Sequence, residues 1–245
     1  MSFWPRCAGG VSPAALAVAA LAAVTAVPAP GARPAAAAEL RGRLELVDAK
    51  GRPAAGVDAA QSVVYFQPRG AKAMSARSPE RRSFELATRD KQFEPRVLAV
   101  PVGSTVRFPN ADPILHNVFS VSPGNAFDLG LARQGPGKEV TFAKAGVVRV
   151  FCNVHHSMVA YVVVLETPFY TTPDAAGDFV LSALPDGPGT LTVWHEQADP
   201  ASLEVRLPAP AAVVVRVEAA KPRVPPHLNK AGRSYWRSRG DRYDR

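Results

Sequence analysis

The sequence predicts an all-β protein organised as β-sandwiches, and three observations carry the prediction. Glycine (18) and proline (24) are frequent in a chain of 245 residues, so turns punctuate it closely. Apolar and polar residues alternate with a period of two through several short stretches. From about residue 91 to residue 166 no stretch has the apolar spacing of an amphipathic helix. A composition of 47% hydrophobic and 20% charged residues excludes a disordered chain and a multi-span membrane protein.

Residues 1–38 differ in kind from the rest. Arg6 precedes an apolar run from Val11 to Val27, and Ala35 to Ala38 form a small-residue site, which reads as a secretory signal peptide cleaved after Ala38. The competing reading is an uncleaved anchor, but an alanine-dominated run of about 17 residues is shorter than the roughly 20 that a spanning helix needs. Cys7 precedes the run and leaves with the peptide, so one cysteine remains, Cys152. In an oxidising compartment a lone thiol needs a reason: either it is a small buried apolar group or a metal holds its thiolate.

The strands follow in order. Leu44 to Pro53 and Val63 to Phe66 read as strand, Asp/Gly turn and strand. Residues 69–90, rich in Arg, Ala and Ser, read as a polar connector. Phe93 to Phe108 give two short strands around Gly103, and Lys138 to Gly146 repeat the pattern. Val148, Val150 and Cys152 then share one face of a strand while Arg149 and Phe151 take the other. Met158 to Leu165 supply a further strand, and Thr172 to His195 continue in the strand-and-turn style of the first residues.

Charge is unevenly placed. Without residues 1–38 the chain has 27 basic and 21 acidic residues, a net of +6. Residues 219–245 hold eight basic and two acidic residues, so all of the excess lies in this Pro-flanked tail, read as disordered. After export such a tail is either a solvated end or a contact for an anionic membrane surface or an acidic protein; nucleic acid is not expected as a partner.

The chemistry concentrates in Phe151 to Met158, where Cys152, His155 and Met158 form C-x2-H-x2-M directly after a strand. His116 lies upstream, in Leu115-His116-Asn117-Val118-Phe119. One soft thiolate, two imidazoles and a weakly donating thioether make a trigonal His2Cys copper site with a long axial Met. His156 is the alternative to His155. A buried structural cysteine would not require Cys, His and Met within seven residues, and structural zinc would favour more thiolates.

The series Val100-x-Val102-Gly103-x-Thr105-Val106-x-Phe108-x-Asn110, then His116 to Phe119, then Gly146-Val147 through Cys152, His155 and Met158 resembles the cupredoxins. The ligand loop has the spacing of amicyanin, and Thr167-Pro168-Phe169 resembles plastocyanin-like proteins of methylamine utilisation. The resemblance covers roughly residues 93 to 170. It implies a Greek-key β-sandwich holding one type 1 copper on His116, Cys152, His155 and Met158, with Asn110 hydrogen-bonding across the ligand loops. Asp48-x-x-Gly51-x-Pro53, Asp174-x-x-Gly177-x-Phe179-x-Leu181 and Leu184-Pro185-x-Gly187 resemble the transthyretin-like, carboxypeptidase regulatory-like sandwich.

The expected organisation is therefore a signal peptide (1–38), a discontinuous regulatory-like sandwich (39–68 with 171–218), a connector (69–90), a cupredoxin domain (91–170) inserted in or packed beside it, and the basic tail (219–245). The implied protein is periplasmic or secreted, carries single electrons to and from a redox protein partner, and is not an enzyme. The alternatives are a copper delivery or storage module and an accessory binding protein. His155, beside Val154, Met158 and Pro123, is the expected route for the electron.

Overall fold

The structure, a computed structural model, describes residues 38–70, 83–220 and 223–234. The expected signal peptide, except Ala38, and residues 235–245 of the tail lie outside the described residues. In chain order the strands are β1 (Ala38–Val47), β2 (Ser62–Pro68), β3 (Ser83–Glu85), β4 (Ala87–Arg89), β5 (Gln92–Glu94) and β6 (Val97–Pro101). Next come β7 (Thr105–Asn110), β8 (His116–Ser120), β9 (Phe127–Ala132), β10 (Gly135–Thr141), β11 (Gly146–Phe151) and β12 (Val159–Leu165). The last are β13 (Tyr170–Thr171), β14 (Asp178–Leu184), β15 (Gly187–His195), β16 (Ala201–Leu207) and β17 (Val213–Glu218). The protein is all-β; a single 3-10 turn, Ala59–Gln61, is the one helical element among the described residues.

Four sheets make two face-to-face pairs. Sheet β10-β7-β4-β5, with β3 added beside β7, packs against sheet β6-β12-β11-β8-β9. Their shared core contains Leu86, Val106, Phe142, Val150, Cys152, Met158 and Val162. Sheets β14-β1-β17 and β13-β2-β15-β16 enclose a second core around Leu40, Phe66, Phe179 and Leu191. Gly177 is needed where these strands approach: it has φ +86°, and a Cβ there would stand 2.2 Å from the Leu44 carbonyl oxygen.

The seven residues of β12 are all buried, which explains why they read as an unbroken apolar run. Ala160, Val162 and Val164 enter the first core, while Val159, Tyr161, Val163 and Leu165 pack on Val63 and Trp194 of the neighbouring sandwich. β12, within the sheet that carries the candidate site, is thereby covered on both faces. At its edge Arg96 and Glu196 form an ion pair at 2.7 Å, with side chains 9% and 0% exposed. The same guanidinium donates to the carbonyls of Val159 (3.1 Å) and Arg223 (2.6 Å).

Two stretches differ from the sequence expectation. Residues 83–85 and 87–89, within the stretch read as a polar connector, are strands: Phe84, Leu86 and Thr88 alternate with charged or small residues, Leu86 between the two strands is fully buried, and β3 and β4 pair with β7. Of the tail read as disordered, residues 223–234 lie on the protein. His227 stacks on Phe151, with ring centres 4.1 Å apart and planes inclined at 13°, and the Lys230 backbone N–H donates to Asn153 Oδ1 at 3.0 Å. Planar stacking and backbone hydrogen bonds do not depend on the apolar patterning that identifies a buried segment.

Candidate metal centre

Cys152 follows β11 with its side chain inward beside Val148 and Val150, as the alternation required, and is completely buried. A tight loop returns the chain to β12: Met158 N–H donates to His155 O (3.2 Å), and Cys152 N–H to Met158 O (3.3 Å). This loop brings His155, 2% exposed, back to the thiol, with Nδ1 3.8 Å from Sγ. His116, at the start of β8 and fully buried, puts its Nδ1 3.9 Å from the same sulfur. The two imidazole rings are 4.9 Å apart. Met158 is fully buried in the same loop, whereas His156 is exposed.

Thiolate and imidazole bonds of about 2.3 and 2.0 Å place S and N roughly 3.5–3.7 Å apart around a metal. The separations of 3.8 and 3.9 Å are close to that spacing and leave room for a metal between the sulfur and both nitrogens. His116, Cys152 and His155 form the group of potential metal-ligating side chains found among the described residues, with donor atoms all within 4.8 Å of one another. One thiolate with two imidazoles suits copper; closed structural zinc sites take four such ligands.

Electrostatics favour the anionic sulfur. Burial pushes the Cys152 thiol up, but hydrogen bonds from His116 and from backbone groups of Asn117, His155 and Val154 outweigh it and hold the thiol below its ordinary value. The Val154 N–H points at Sγ from 3.4 Å. For His116, burial opposes the charged form, while the hydrogen bonds and charges of Cys152 and Asp112 favour it and raise the imidazole above its usual range. Its Nε2 lies 2.7 Å from Asp112 Oδ2.

Asn110 acts on the His116 side. Its Nδ2 donates to the carbonyls of Ile114 (2.8 Å) and Ala132 (3.2 Å), and its Oδ1 accepts from Thr88 Oγ1 (2.8 Å) and the Asp112 N–H (2.9 Å). It thereby fixes the 111–115 loop to β4 and β9; these contacts do not reach the Cys152 loop. The expected apolar surface around His155 is also differently made. Pro123 belongs to the β8–β9 turn, at the opposite end of β8 from His116, while Ile114 and Leu115, just before His116, and Val154, between Cys152 and His155, are exposed apolar residues beside the cluster.

Asp112, His227 and Lys230 were missed in the sequence. Asp112 stands before Pro113 and reads as a turn residue; its spacing of four from His116 was the available signal. The other two lie in the basic tail, where Lys230 Nζ also pairs with Asp128 at 2.8 Å. His195, buried at the end of β15, accepts from the Gln197 N–H at 3.1 Å.

The 223–234 segment covers the residues flanking Cys152, which has a measurable consequence. In the copper-free chain, His227→Ala combined with Lys230→Ala removes a stacked pair worth about 0.5–1.5 kcal/mol and an exposed ion pair worth about 0–1 kcal/mol. Alkylation of Cys152 should then accelerate by between about twofold and several tens of fold in a timed reaction with a small thiol reagent. An unchanged rate would show that the segment does not shield the thiol.

No protein family model matches the sequence, and no curated protein matches it. Among solved structures, the chain is similar to a purple cupredoxin from Nitrosopumilus maritimus, at 24% identity over 34% of this chain and 99% of that one, with a TM-score of 0.31. It is similar to a reduced amicyanin variant, at 27% identity over 34% of this chain and 82% of that one, TM-score 0.32. A copper-containing nitrite reductase from Thermus scotoductus SA-01 matches at 25% identity over 41% of this chain and 26% of that one, TM-score 0.34.

Proposed function

We propose that this chain is an exported type 1 copper protein that carries single electrons between redox partners. The observation that carries the reading is one buried cysteine with two imidazole nitrogens at 3.8 and 3.9 Å. His116, Cys152 and His155 would hold the metal, with Met158 as a further, weak thioether donor. Bound copper supplies a one-electron couple between Cu(II) and Cu(I).

The chain's own residues suit that couple. Cys152 directly follows β11 and His116 begins the neighbouring β8, both fully buried against the packed core, so neither can move far when the charge at the site changes. Backbone N–H groups aimed at the sulfur stabilise its anionic form without reorganising. Burial of both imidazoles excludes water and slows metal loss. Leu115 and Val154 are exposed apolar residues on the loops that carry His116 and His155, the kind of surface that brief redox encounters use. The residues 39–68 with 171–218 form, in this reading, a second sandwich that contributes a separate contact surface.

The experiment is voltammetry of the copper-loaded protein with a Cu(I) chelator present. A reversible one-electron wave that persists through repeated cycles is the result for a carrier. Loss of the metal to the chelator on each reduction would instead identify a delivery module. His155→Ala should abolish copper retention while His156→Ala keeps it; the reverse outcome would contradict the ligand assignment.

A further inference from the structure

A carboxylate stands directly behind His116. Asp112 is 7% exposed, and its Oδ2 is 2.7 Å from His116 Nε2. A carboxylate only accepts, so Nε2 carries the proton and Nδ1 is the atom turned to the Cys152 sulfur. Asp112 is itself held by two backbone donors: the Asp90 N–H reaches Oδ1 at 2.7 Å, and the Lys91 N–H reaches Oδ2 at 3.0 Å.

These donors are the two central residues of the β4–β5 turn, and both have left-handed backbones, with φ 50° for Asp90 and 57° for Lys91. Two-residue hairpins of this kind favour glycine at the second position, because a Cβ is disfavoured there. Successive amides in such a turn form a concavity that takes an anion. β4 is in turn fastened to the loop that bears Asp112: Thr88 Oγ1 donates to Asn110 Oδ1, and the Ala111 N–H donates to Thr88 O at 2.9 Å. A continuous set of contacts thus runs from an edge hairpin to the metal-facing nitrogen.

We propose that Asp112, clamped by the β4–β5 turn, is a positioning residue that fixes His116 with Nδ1 toward the metal and, as a buried anion behind the imidazole, favours Cu(II) over Cu(I). The inference rests on the copper reading of the site. Cu(II) carries one more positive charge than Cu(I), and a fixed anion at low local dielectric stabilises it more. Asp112 cannot turn away, because its backbone donors belong to a paired hairpin.

The test uses the full chain with Asp112→Asn and Asp112→Ala. In the copper-free wild type, His116 Nε2–H gives a slowly exchanging proton resonance, which Asp112→Ala loses. In the copper-loaded protein both variants lower the ratio of Cu(II) to Cu(I) affinity at least tenfold, equivalent to a rise of about 59 mV in reduction potential. Asp112→Asn keeps the shape of the side chain and decides the matter if the alanine variant does not fold. Equal losses of both affinities at unchanged potential would overturn the proposal, and so would a resonance as protected in Asp112→Ala as in the wild type. A wild type that takes up no copper removes the copper reading and the proposal together, whereas a coloured wild type whose potential is indifferent to Asp112 removes the proposal alone.

Discussion

Cys152→Ser abolishes the intense visible absorption of the copper-loaded protein, because that transition moves charge from a thiolate sulfur and a serine oxygen offers none. The loss is complete, not graded. Cys152 is the one cysteine among the described residues, and the nitrogen donors on either side of it, His116 and His155, cannot replace the sulfur. Met158→Leu is the informative comparison. A thioether at an axial position bonds weakly, so the leucine variant keeps its colour and changes its reduction potential. Both variants are read in one absorption titration with Cu(II). Equal loss of colour would show that Met158 supports the loop through its packing and its hydrogen bonds with His155 and Cys152, and is no axial donor.

Glu196→Ala should cost about 3–5 kcal/mol of stability, the range for removing one partner of a buried ion pair. Glu196 is fully buried by side chain, and the guanidinium it leaves behind is 9% exposed. The carbonyls of Val159 and Arg223 would still accept from Arg96, but they carry no compensating charge. Replacing both partners with methionine should cost less than the single change, because no uncompensated charge then stays buried. Chemical denaturation of the three variants measures this. A loss below about 1 kcal/mol for Glu196→Ala would mean that the pair behaves as a solvated surface contact. Arg96 precedes β6 and Glu196 follows β15, so the pair ties the site-bearing sheet to the neighbouring sandwich.

Much of this arrangement was legible in the residues, for reasons that differ by element. The alternation through Val148, Val150 and Cys152 set the direction of the thiol, because a strand has a period of two and one face was wholly apolar. The C-x2-H spacing anticipated a loop that returns His155 to the sulfur, and His156 points elsewhere for the same reason. β3 and β4 were hidden. Their strands are three residues long, and charged residues interrupt the apolar ones, so Phe84, Leu86 and Thr88 look like a connector until β7 is placed beside them. Asp112 was equally hidden, since an aspartate before proline is ordinary turn chemistry and its role depends on a hairpin some twenty residues earlier in the chain. The 223–234 segment escaped because its attachment uses a stacked ring, backbone atoms and one ion pair, none of which leaves a hydrophobic pattern.

The visible and EPR spectra of the purified, copper-loaded full chain decide whether His116, Cys152 and His155 hold copper through a thiolate. Expected are one copper per chain, an intense absorption band in the red that makes the solution blue or purple, and an EPR spectrum whose copper hyperfine splitting is narrowed by spin shared with the Cys152 sulfur. A weak band with the broad hyperfine splitting of copper bound only by nitrogen and oxygen, or no stoichiometric copper at all, would contradict that assignment.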